Sequence, residues 1–399
     1  MEYIEQGTPQ FRKTTFAFFA AGFNTFAILY TAQPLMPIFT EEFGVSATLS
    51  SLSMTITTLT LALSMLVFGS ISESLGRKNI MVVSMFAASL LCILTALSPN
   101  FYVLIALRAL QGVVLAGVPS IAMAYISEEI HPRSLAGAMG LYISGNALGA
   151  VFGRVFSGVA ADYIGWHGAM LGIGIISIIA TVIFWKSLRP PRNFVAQNFN
   201  FMQLTRSLLH HMKNPVLVCF FFVGFLLLGA NLSIYSYVTF VFLDVPYSLS
   251  QSIVSWIFLI FIIGIFSSMI TGRFVAKFGK VKFIYIALGI TLLGVFLLFI
   301  PNLLIMVLGL SLFTYGFFAS HSVVSGLVGE NAVSNKAQAS SLYLFFYYTG
   351  SSIGGTAAGI FWDDFGWNGV VVMNVAFIAL CFVLVSIAIR MKRRNVAEN

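Results

Sequence analysis

The feature that most constrains this chain is a succession of apolar runs, each about 20 residues long. A helix of that length spans the hydrocarbon core of a bilayer and satisfies its backbone hydrogen bonds internally, as lipid requires. Only 9% of the residues are charged, whereas about a quarter are charged in soluble proteins. The predicted fold class is therefore an all-α polytopic membrane protein. Its twelve transmembrane helices are expected near 14–39, 47–72, 79–97, 102–126, 135–160, 167–187, 215–241, 250–273, 282–300, 303–328, 338–361 and 368–389.

The loops between these spans alternate in charge. One side, named here the basic side, carries Arg12/Lys13, Arg77/Lys78, Arg133, the 186–213 stretch, residues 273–282, Lys336 and the tail "RMKRRN". The other, the acidic side, carries Glu41, Glu42, Asp162, Asp244, Asp363 and Asp364, and no Lys or Arg. The positive-inside rule then predicts that both termini of this multi-pass membrane protein are cytoplasmic.

The same pattern accounts for the net charge of +8. Of the 21 Lys and Arg residues, 19 lie at loops, span ends and tails of the basic side, and only Arg108 and Arg154 lie within spans. Topology and attraction to anionic lipid explain the 19. The expected partner is therefore the lipid bilayer and not nucleic acid.

An internal repeat divides the chain into two halves. A shift of 203 positions places "GRFVAKFGK" on "GSISESLGR", and a shift of 201 aligns the fifth span with the eleventh. Such duplication is typical of transporters built from two bundles. We therefore predict two pseudo-symmetric six-helix bundles, 1–188 and 215–399, joined by a loop, 189–214, on the basic side. The later part of that loop is expected to form a short amphipathic helix.

Three segments resemble motifs of the major facilitator superfamily. "GSISESLGRK" (69–78) is similar to the family's loop signature, "RALQG" (108–112) to its fourth-span motif, and "GLYISGNALGAVFGRVFSG" to its antiporter motif. The resemblance covers essentially the whole chain, and it implies a secondary transporter that alternates access to a midplane cavity. "YTAQPLMPIF" and "GLYISGN" look most like a bacterial twelve-span group related to drug:proton antiporters, which implies a place in the bacterial inner (plasma) membrane. Some members of that group export metabolites, including opine-type metal chelators.

Two residues depart from the family pattern. Glu73 stands where the loop signature usually has Asp, and Ala150 stands where the antiporter motif usually has Pro. The resemblance implies a conformational switch in which Glu73 pairs with Arg133 in one state. The alternative is that the basic residues of the signature only set topology. The expected switch residues are Gly69, Glu73, Gly76, Arg77, Lys78 and Arg133.

Arg108 and Arg154 are the two cations placed within spans. Counted from the acidic side, they lie about 10 Å and about 12 Å deep at 1.5 Å per residue. All 13 acidic residues lie in tails, loops or span ends, so the arginines have no obvious carboxylate at that depth. A charge buried in lipid is costly unless it is paired or hydrated. Either the arginines bond backbone carbonyls or water, or they bind an anionic group of a substrate through the guanidinium fork.

Other polar residues within the spans are candidates for the same substrate site. Tyr30 and Gln33 share one face of the first span, and Gln111 lies three residues from Arg108. The alternative for each of them is an ordinary hydrogen bond between helices. The remaining candidates are Asn24, Asn146, Asn231, Tyr235 and Tyr347.

His321 is the one histidine predicted to lie well inside a span. Since no Asp or Glu lies that deep, it is the best candidate for carrying a proton, although a structural hydrogen bond is the common role of such a residue. No second His, Cys or carboxylate stands at ligand spacing, so no metal site is expected. No nucleotide motif is found, and the expected energy source is the proton-motive force without a cofactor.

These observations predict a secondary active transporter that exports a small anionic or zwitterionic metabolite, such as a carboxylate-rich opine-type chelator, by proton antiport. Two alternatives remain open: a multidrug:proton antiporter that exports lipophilic compounds, and uptake of an organic anion by proton symport. The absence of deep carboxylates argues against lipophilic cations. The chain has no nucleophile–base constellation and no large soluble domain, so it is not expected to be an enzyme. A monomer is expected.

Overall fold

The computed structural model describes residues 3–194, 201–332 and 336–397. The chain forms two compact units, each considered by itself below. Unit 1 comprises Met1–Gly44, Leu52–Asn200 and Ser250–Ser255, and unit 2 comprises Val45–Ser51, Phe201–Leu249 and Trp256–Asn399.

The described residues are almost entirely helical. In chain order the helices are α1 (Pro9–Tyr30), α2 (Met36–Phe43), α3 (Ala47–Leu75), α4 (Arg77–Thr95), α5 (Phe101–Leu115), α6 (Ala122–Glu129), α7 (Leu135–Ser187), α8 (Phe201–Met212), α9 (Pro215–Leu243), α10 (Gln251–Trp256), α11 (Phe261–Phe278), α12 (Lys280–Leu297), α13 (Leu303–Asn331) and α14 (Lys336–Ala397). One isolated parallel bridge joins Ile4 to Ile130. The short helix predicted in the central loop is present as α8.

The helices agree with the predicted spans. Within the described residues, nine helical segments are long and apolar enough to cross a membrane. Two of them, α7 and α14, each contain two predicted spans, and the fourth predicted span is divided between α5 and α6. The all-α polytopic fold is therefore confirmed.

Both double-span helices bend at a glycine. Gly165 in α7 has φ 69° and ψ 168°, and Gly366 in α14 has φ 61° and ψ −153°. These positive φ values are strained for residues with a Cβ. Each glycine precedes a tryptophan, and the two positions correspond in the repeat. The duplication therefore extends to the turn between consecutive spans.

The first span is interrupted toward the acidic side. Helix α1 ends at Tyr30, a 3-10 turn follows at Gln33–Leu35, and α2 continues from Met36. Pro34 has no N–H to donate and its ring crowds the preceding turn, so a regular α-helix cannot pass through it. This break exposes backbone carbonyls in the interior of unit 1.

Candidate functional site

Arg108 of α5 binds the broken end of α1. The last four carbonyls of a helix have no intrahelical donors. Arg108 Nη1 donates to the carbonyl of Ile28 at 3.1 Å and Nη2 donates to that of Leu29 at 2.9 Å. Its Nε donates to the carbonyl of Ser53 at 2.8 Å, and Nη1 also donates to Gln111 Oε1 at 2.5 Å. The side chain is 0% exposed. Of the two alternatives given for Arg108, this structure therefore has the one in which the arginine bonds backbone carbonyls.

Gln111 connects this arginine to a further helix. While its Oε1 accepts from Arg108, its Nε2 donates to the carbonyl of Ala88 in α4 at 3.2 Å. Ser157 of α7 similarly donates to the carbonyl of Thr31 at 2.8 Å. The end of α1 is thus held by side chains from two other helices, α5 and α7. Ser157 was missed by the sequence analysis, because a serine in a span carries no signal of its own.

Arg154 of α7 lies at the other edge of the same break. Its Nε donates to Gln33 Oε1 at 2.7 Å, and Nη1 donates to the carbonyl of Ala150 at 2.9 Å. The guanidinium carbon lies 3.6 Å from the centroid of the Tyr30 ring, which places the cation over the negative face of the aromatic ring. Three predicted site residues therefore meet here: Arg154, Gln33 and Tyr30.

Asn24 and Asn146 are also inside unit 1. Asn24 Nδ2 is 3.4 Å from Thr181 Oγ1, a weak hydrogen bond. The Oδ1 atoms of both asparagines are buried and accept no hydrogen bond among the described residues. A buried acceptor without a donor costs free energy, so both amide oxygens can accept from a donor that enters the bundle.

A stripe of glycines brings α7 against α1. A Cβ at Gly145, Gly149 or Gly153 would collide with the α1 backbone. In unit 2 the equivalent residues, Gly350 and Gly354 of α14, would collide in the same way with the backbone of α9. Small residues permit this close approach of helices. Packing is therefore the role that the structure gives to the glycines of the antiporter-like motif.

His321 of α13 lies in an aromatic cluster of unit 2. Its Nδ1 is 2.8 Å from the hydroxyl of Tyr343, and its ring centroid is 4.5 Å from that of Tyr347. The ring of Phe317 stacks at 6.4 Å. The predicted residues His321 and Tyr347 thus meet, and Tyr343, which the sequence analysis did not select, supplies the hydrogen bond.

The other two predicted residues of unit 2 lie on α9. The hydroxyl of Tyr235 is 2.5 Å from Thr314 Oγ1 in α13, and its ring lies 4.5 Å from that of Phe261. Asn231 is 3% exposed, and its Nδ2 has no hydrogen-bond acceptor among the described residues. The tyrosine therefore links helices, while the asparagine amide is an unused buried donor.

The loop signature on the basic side contains an ion pair that the sequence analysis missed. Arg77 binds Glu128 of α6 through one guanidinium edge, with its Nε donating to Glu128 Oε2 at 2.6 Å and its Nη2 donating to Oε1. Such a two-bond pair is geometrically specific. Gly76, with φ 92°, forms the turn that places Arg77 at the start of α4. Lys78 donates to the carbonyl of Leu188 at the end of α7.

The predicted pairing of Glu73 with Arg133 is not present in this structure. Both side chains are exposed, and no ion pair joins them among the described residues. Nor does Gly69 lie in a tight contact, since a Cβ there would be 3.9 Å from the carbonyl of Ser120. The structure instead ties the loop signature to α6 through Arg77.

The second half carries the equivalent ion pair. Lys280, which aligns with Arg77 in the repeat, pairs with Glu330 at the end of α13. Glu129, the residue that aligns with Glu330 at a shift of 201, has a different role: it accepts from the backbone N–H groups of Arg192 and Asn193 at 2.8 and 2.7 Å. The partner of Arg77 is the preceding residue, Glu128.

No metal-binding cluster is found in the part of the chain that the structure describes. There, no three His, Cys, Asp or Glu side chains come together in a way that would hold an ion. Cys92, Cys219 and Cys381 are buried and free. Within the described spans the polar groups are therefore guanidinium, amide, hydroxyl, imidazole and thiol groups.

Comparison with known proteins decides the family. The model of the Major Facilitator Superfamily matches residues 14–333 and 247–399. The chain belongs to the major facilitator superfamily. It is 55% identical over 373 residues to "Uncharacterized MFS-type transporter YybF" of Bacillus subtilis (strain 168), covering 94% of this chain and 92% of that protein. It is 39% identical to "Inner membrane transport protein YnfM" of Escherichia coli (strain K12), covering 98% of this chain and 94% of that protein.

The fold of this superfamily member is also found among solved structures. A crystal structure of the peptide transporter POT in complex with sulfate matches with a TM-score of 0.78 and 13% identity, covering 96% of this chain and 95% of that one. At that identity the likeness concerns the fold alone. Family membership and fold together make the chain a membrane transporter and not an enzyme.

Proposed function

We propose that this superfamily member exports a small anionic or zwitterionic metabolite by proton antiport, by alternating access in the bacterial inner membrane. The basic side then faces the cytoplasm, together with both termini. One observation supports an anionic or zwitterionic cargo. In the described part of unit 1, the middle of the spans contains two guanidiniums, Arg108 and Arg154, and no carboxylate.

Arg154 is the group that we propose to contact the cargo. It lies beside the α1 break, next to the ring of Tyr30 and the amide of Gln33. These groups are neutral, so they orient the guanidinium without cancelling its charge. A carboxylate that approaches this group gains a charge-assisted hydrogen bond in a site of low dielectric constant. Tyr30 and Gln33 then complete the site with an aromatic face and an amide.

Arg108 is proposed to act on the cargo through its charge. Its three nitrogens already donate to neutral acceptors in three helices, so a contact with cargo requires the break in α1 to rearrange. The positive charge remains in the bundle whichever acceptors it binds. At an effective dielectric constant of about 20, two unit charges about 8 Å apart interact by about 2 kcal/mol. That attraction favours an anion over a cation.

His321 is proposed to carry the coupled proton. Among the described residues it is the group that lies well inside a span and changes charge between about pH 5 and 8 in its ordinary form. Its hydrogen bond to Tyr343 and its ring contact with Tyr347 hold the imidazole in a fixed orientation. Protonation of the ring adds a charge inside this aromatic cluster, which is a change that can bias two conformations.

The experiment that tests the cargo class is ligand-dependent thermal stabilisation of the detergent-purified protein. A ligand that binds only the folded state raises its stability in proportion to RT ln(1 + [L]/Kd). The panel contains citrate, glutamate, an N-carboxyalkyl amino acid of the opine type, and tetraphenylphosphonium. Wild type is compared with Arg154→Lys and Arg154→Gln. The exposed Lys186, at the end of the same helix, supplies the matched control Lys186→Gln.

The proposal expects stabilisation by at least one carboxylate in wild type and in Lys186→Gln. The effect should weaken in Arg154→Lys, because the planar fork is lost, and disappear in Arg154→Gln. Stabilisation by tetraphenylphosphonium alone, equal in all four proteins, would replace this proposal with export of lipophilic compounds. Proteoliposomes with an imposed pH gradient then give the direction of flux, and accumulation of the carboxylate together with protons would identify symport.

A further inference from the structure

A cavity of about 320 Å³ opens at the basic end of unit 2. It lies where α9 and α12 begin and where α13 and α14 end. Its floor consists of the buried apolar side chains of Phe220, Leu327 and Ala388. No residue discussed above as a candidate for cargo binding or proton transfer lines it. The cavity is therefore separate from the proposed transport site.

The rim of this cavity is cationic. Lys392 and Arg393 line it from the last turns of α14, and both side chains are exposed. Within the described residues neither of them makes an ion pair, and no acidic residue lines the cavity. The carboxylate next along α13, Glu330, is already paired with Lys280. The two cations at the mouth therefore have no counter-charge among the described side chains.

An apolar floor and a cationic rim together select an amphiphile. A free inorganic anion would use the rim but would leave the buried apolar floor without a partner. A neutral lipid would use the floor but would leave the two cations without a counter-charge. Basic pockets between the ends of transmembrane helices on the positively charged side are the kind of site that binds anionic lipid headgroups. An acyl chain is the apolar group that a bilayer supplies at this depth.

We propose that this cavity binds one anionic phospholipid. Its phosphate lies between Lys392 and Arg393, and the upper part of an acyl chain packs on Phe220, Leu327 and Ala388. The bound lipid then connects the ends of α9, α12, α13 and α14. This differs from the general attraction of basic loops to a negatively charged surface, because it requires a shaped apolar site and a fixed pair of cations.

Thermal unfolding of the full chain in a neutral detergent tests this site. The probes are dihexanoyl phosphatidylglycerol, dihexanoyl phosphatidylcholine and inorganic phosphate, each at the same concentration. Only phosphatidylglycerol should raise the melting temperature. In Lys392→Gln/Arg393→Gln this increase should fall to less than half. The control Arg390→Gln/Arg394→Gln removes the same charge from the same helix at positions that do not line the cavity, and it should retain the increase.

A second variant separates the apolar part of the site from its charge. Val281 is 40% exposed and lines the mouth, so Val281→Trp narrows the cavity without disturbing the core and leaves both cations in place. It should also lose the effect of phosphatidylglycerol. Three results would overturn the proposal: equal stabilisation by phosphatidylcholine, equal stabilisation by phosphate, or an undiminished effect in either the Lys392→Gln/Arg393→Gln or the Val281→Trp protein.

Discussion

Asp162, three residues before the bend at Gly165 in α7, accepts two hydrogen bonds from Ser252 in the first turn of α10. The backbone N–H of Ser252 donates at 3.0 Å and its hydroxyl donates at 2.6 Å. The repeat reproduces this link in unit 2, where Asp363 accepts from the hydroxyl of Thr48 at 2.5 Å, in the first turn of α3. In both places a carboxylate binds the N-terminal turn of a helix, where negative charge is favoured.

The first prediction concerns this link. Asp162→Ala removes the acceptor of the Ser252 amide, so hydrogen exchange of that amide should accelerate by about tenfold, the equivalent of about 1.4 kcal/mol. The side chains are exposed, so the melting temperature should change little. Asp364→Ala is the control, because Asp364 is an exposed carboxylate of the same side. Unchanged exchange at Ser252 would contradict the structural assignment.

A second prediction follows from the position of Arg108. Arg108→Gln leaves several buried carbonyls without donors, and each costs about 1–3 kcal/mol. Arg108→Gln should therefore lower the melting temperature strongly, whereas the exposed Lys186→Gln should not. Arg108→Lys should be intermediate, because one ammonium cannot reach acceptors on three helices. If Arg108→Gln melts like wild type, the carbonyls of Ile28 and Leu29 do not depend on this arginine.

The glycine stripe supplies a matched comparison within one helix. Gly149→Ala should destabilise by about 1–3 kcal/mol, because the added methyl group meets the α1 backbone at Phe23. Gly140→Ala should be neutral or stabilising by about 0.5–1 kcal/mol, because nothing lies within 4 Å of the new methyl group and alanine is the better helix former. Melting temperatures of the two variants check this, and a reversed order would be inconsistent with the contact.

The loop signature yields a fourth prediction. Glu128→Gln should weaken the tie between α4 and α6, whereas Glu73→Gln should have little effect on the state described here, because Glu73 is exposed. Cysteine accessibility at the basic ends of the helices measures the change. The exchanged pair Arg77→Glu/Glu128→Arg should restore the accessibility of wild type at least in part. An effect of Glu73→Gln larger than that of Glu128→Gln would favour the predicted pairing of Glu73 in another conformation.

His321 provides the fifth prediction. His321→Gln should abolish uphill transport driven by a pH gradient in proteoliposomes, while exchange of cargo across the membrane continues. Tyr343→Phe is the matched control, because it removes the hydrogen bond to Nδ1 and keeps both rings. It should reduce coupled transport without abolishing it. Uphill transport that persists in His321→Gln would assign the proton to another group.

The spans and the repeat were predictable because they depend on the hydropathy, charge and identity of each residue, all of which can be read from the sequence. Apolar runs and loop charges predicted the helices, and the repeat predicted two equivalent halves, whereas the bends at Gly165 and Gly366 were found only in the structure. The partners of Arg108 were not predictable in this way. Two of its acceptors are the carbonyls of Ile28 and Leu29, which are available because α1 ends at Tyr30, and a carbonyl has no signature in the sequence.

Among the site residues, too, some contacts were predictable from the sequence and others were not. Tyr30, Gln33 and Arg154 were selected separately and meet in the structure, where Tyr30 ends α1 and Gln33 begins the 3-10 turn that follows. The choice between Glu128 and Glu129 as the partner of Arg77 could not be made from the repeat alone. Adjacent residues point in different directions on a helix, so a shift of one position changes which carboxylate faces the loop.

The contact between the glycines of α7 and the backbone of α1 also has a genetic consequence. Every single-base missense change in a glycine codon introduces an amino acid with a Cβ atom. At Gly145, Gly149, Gly153, Gly350 and Gly354 that atom has no space. A screen for inactive alleles should therefore recover almost any missense change at these five codons. Missense changes at neighbouring codons for exposed residues should be tolerated like silent changes and should seldom appear in the screen.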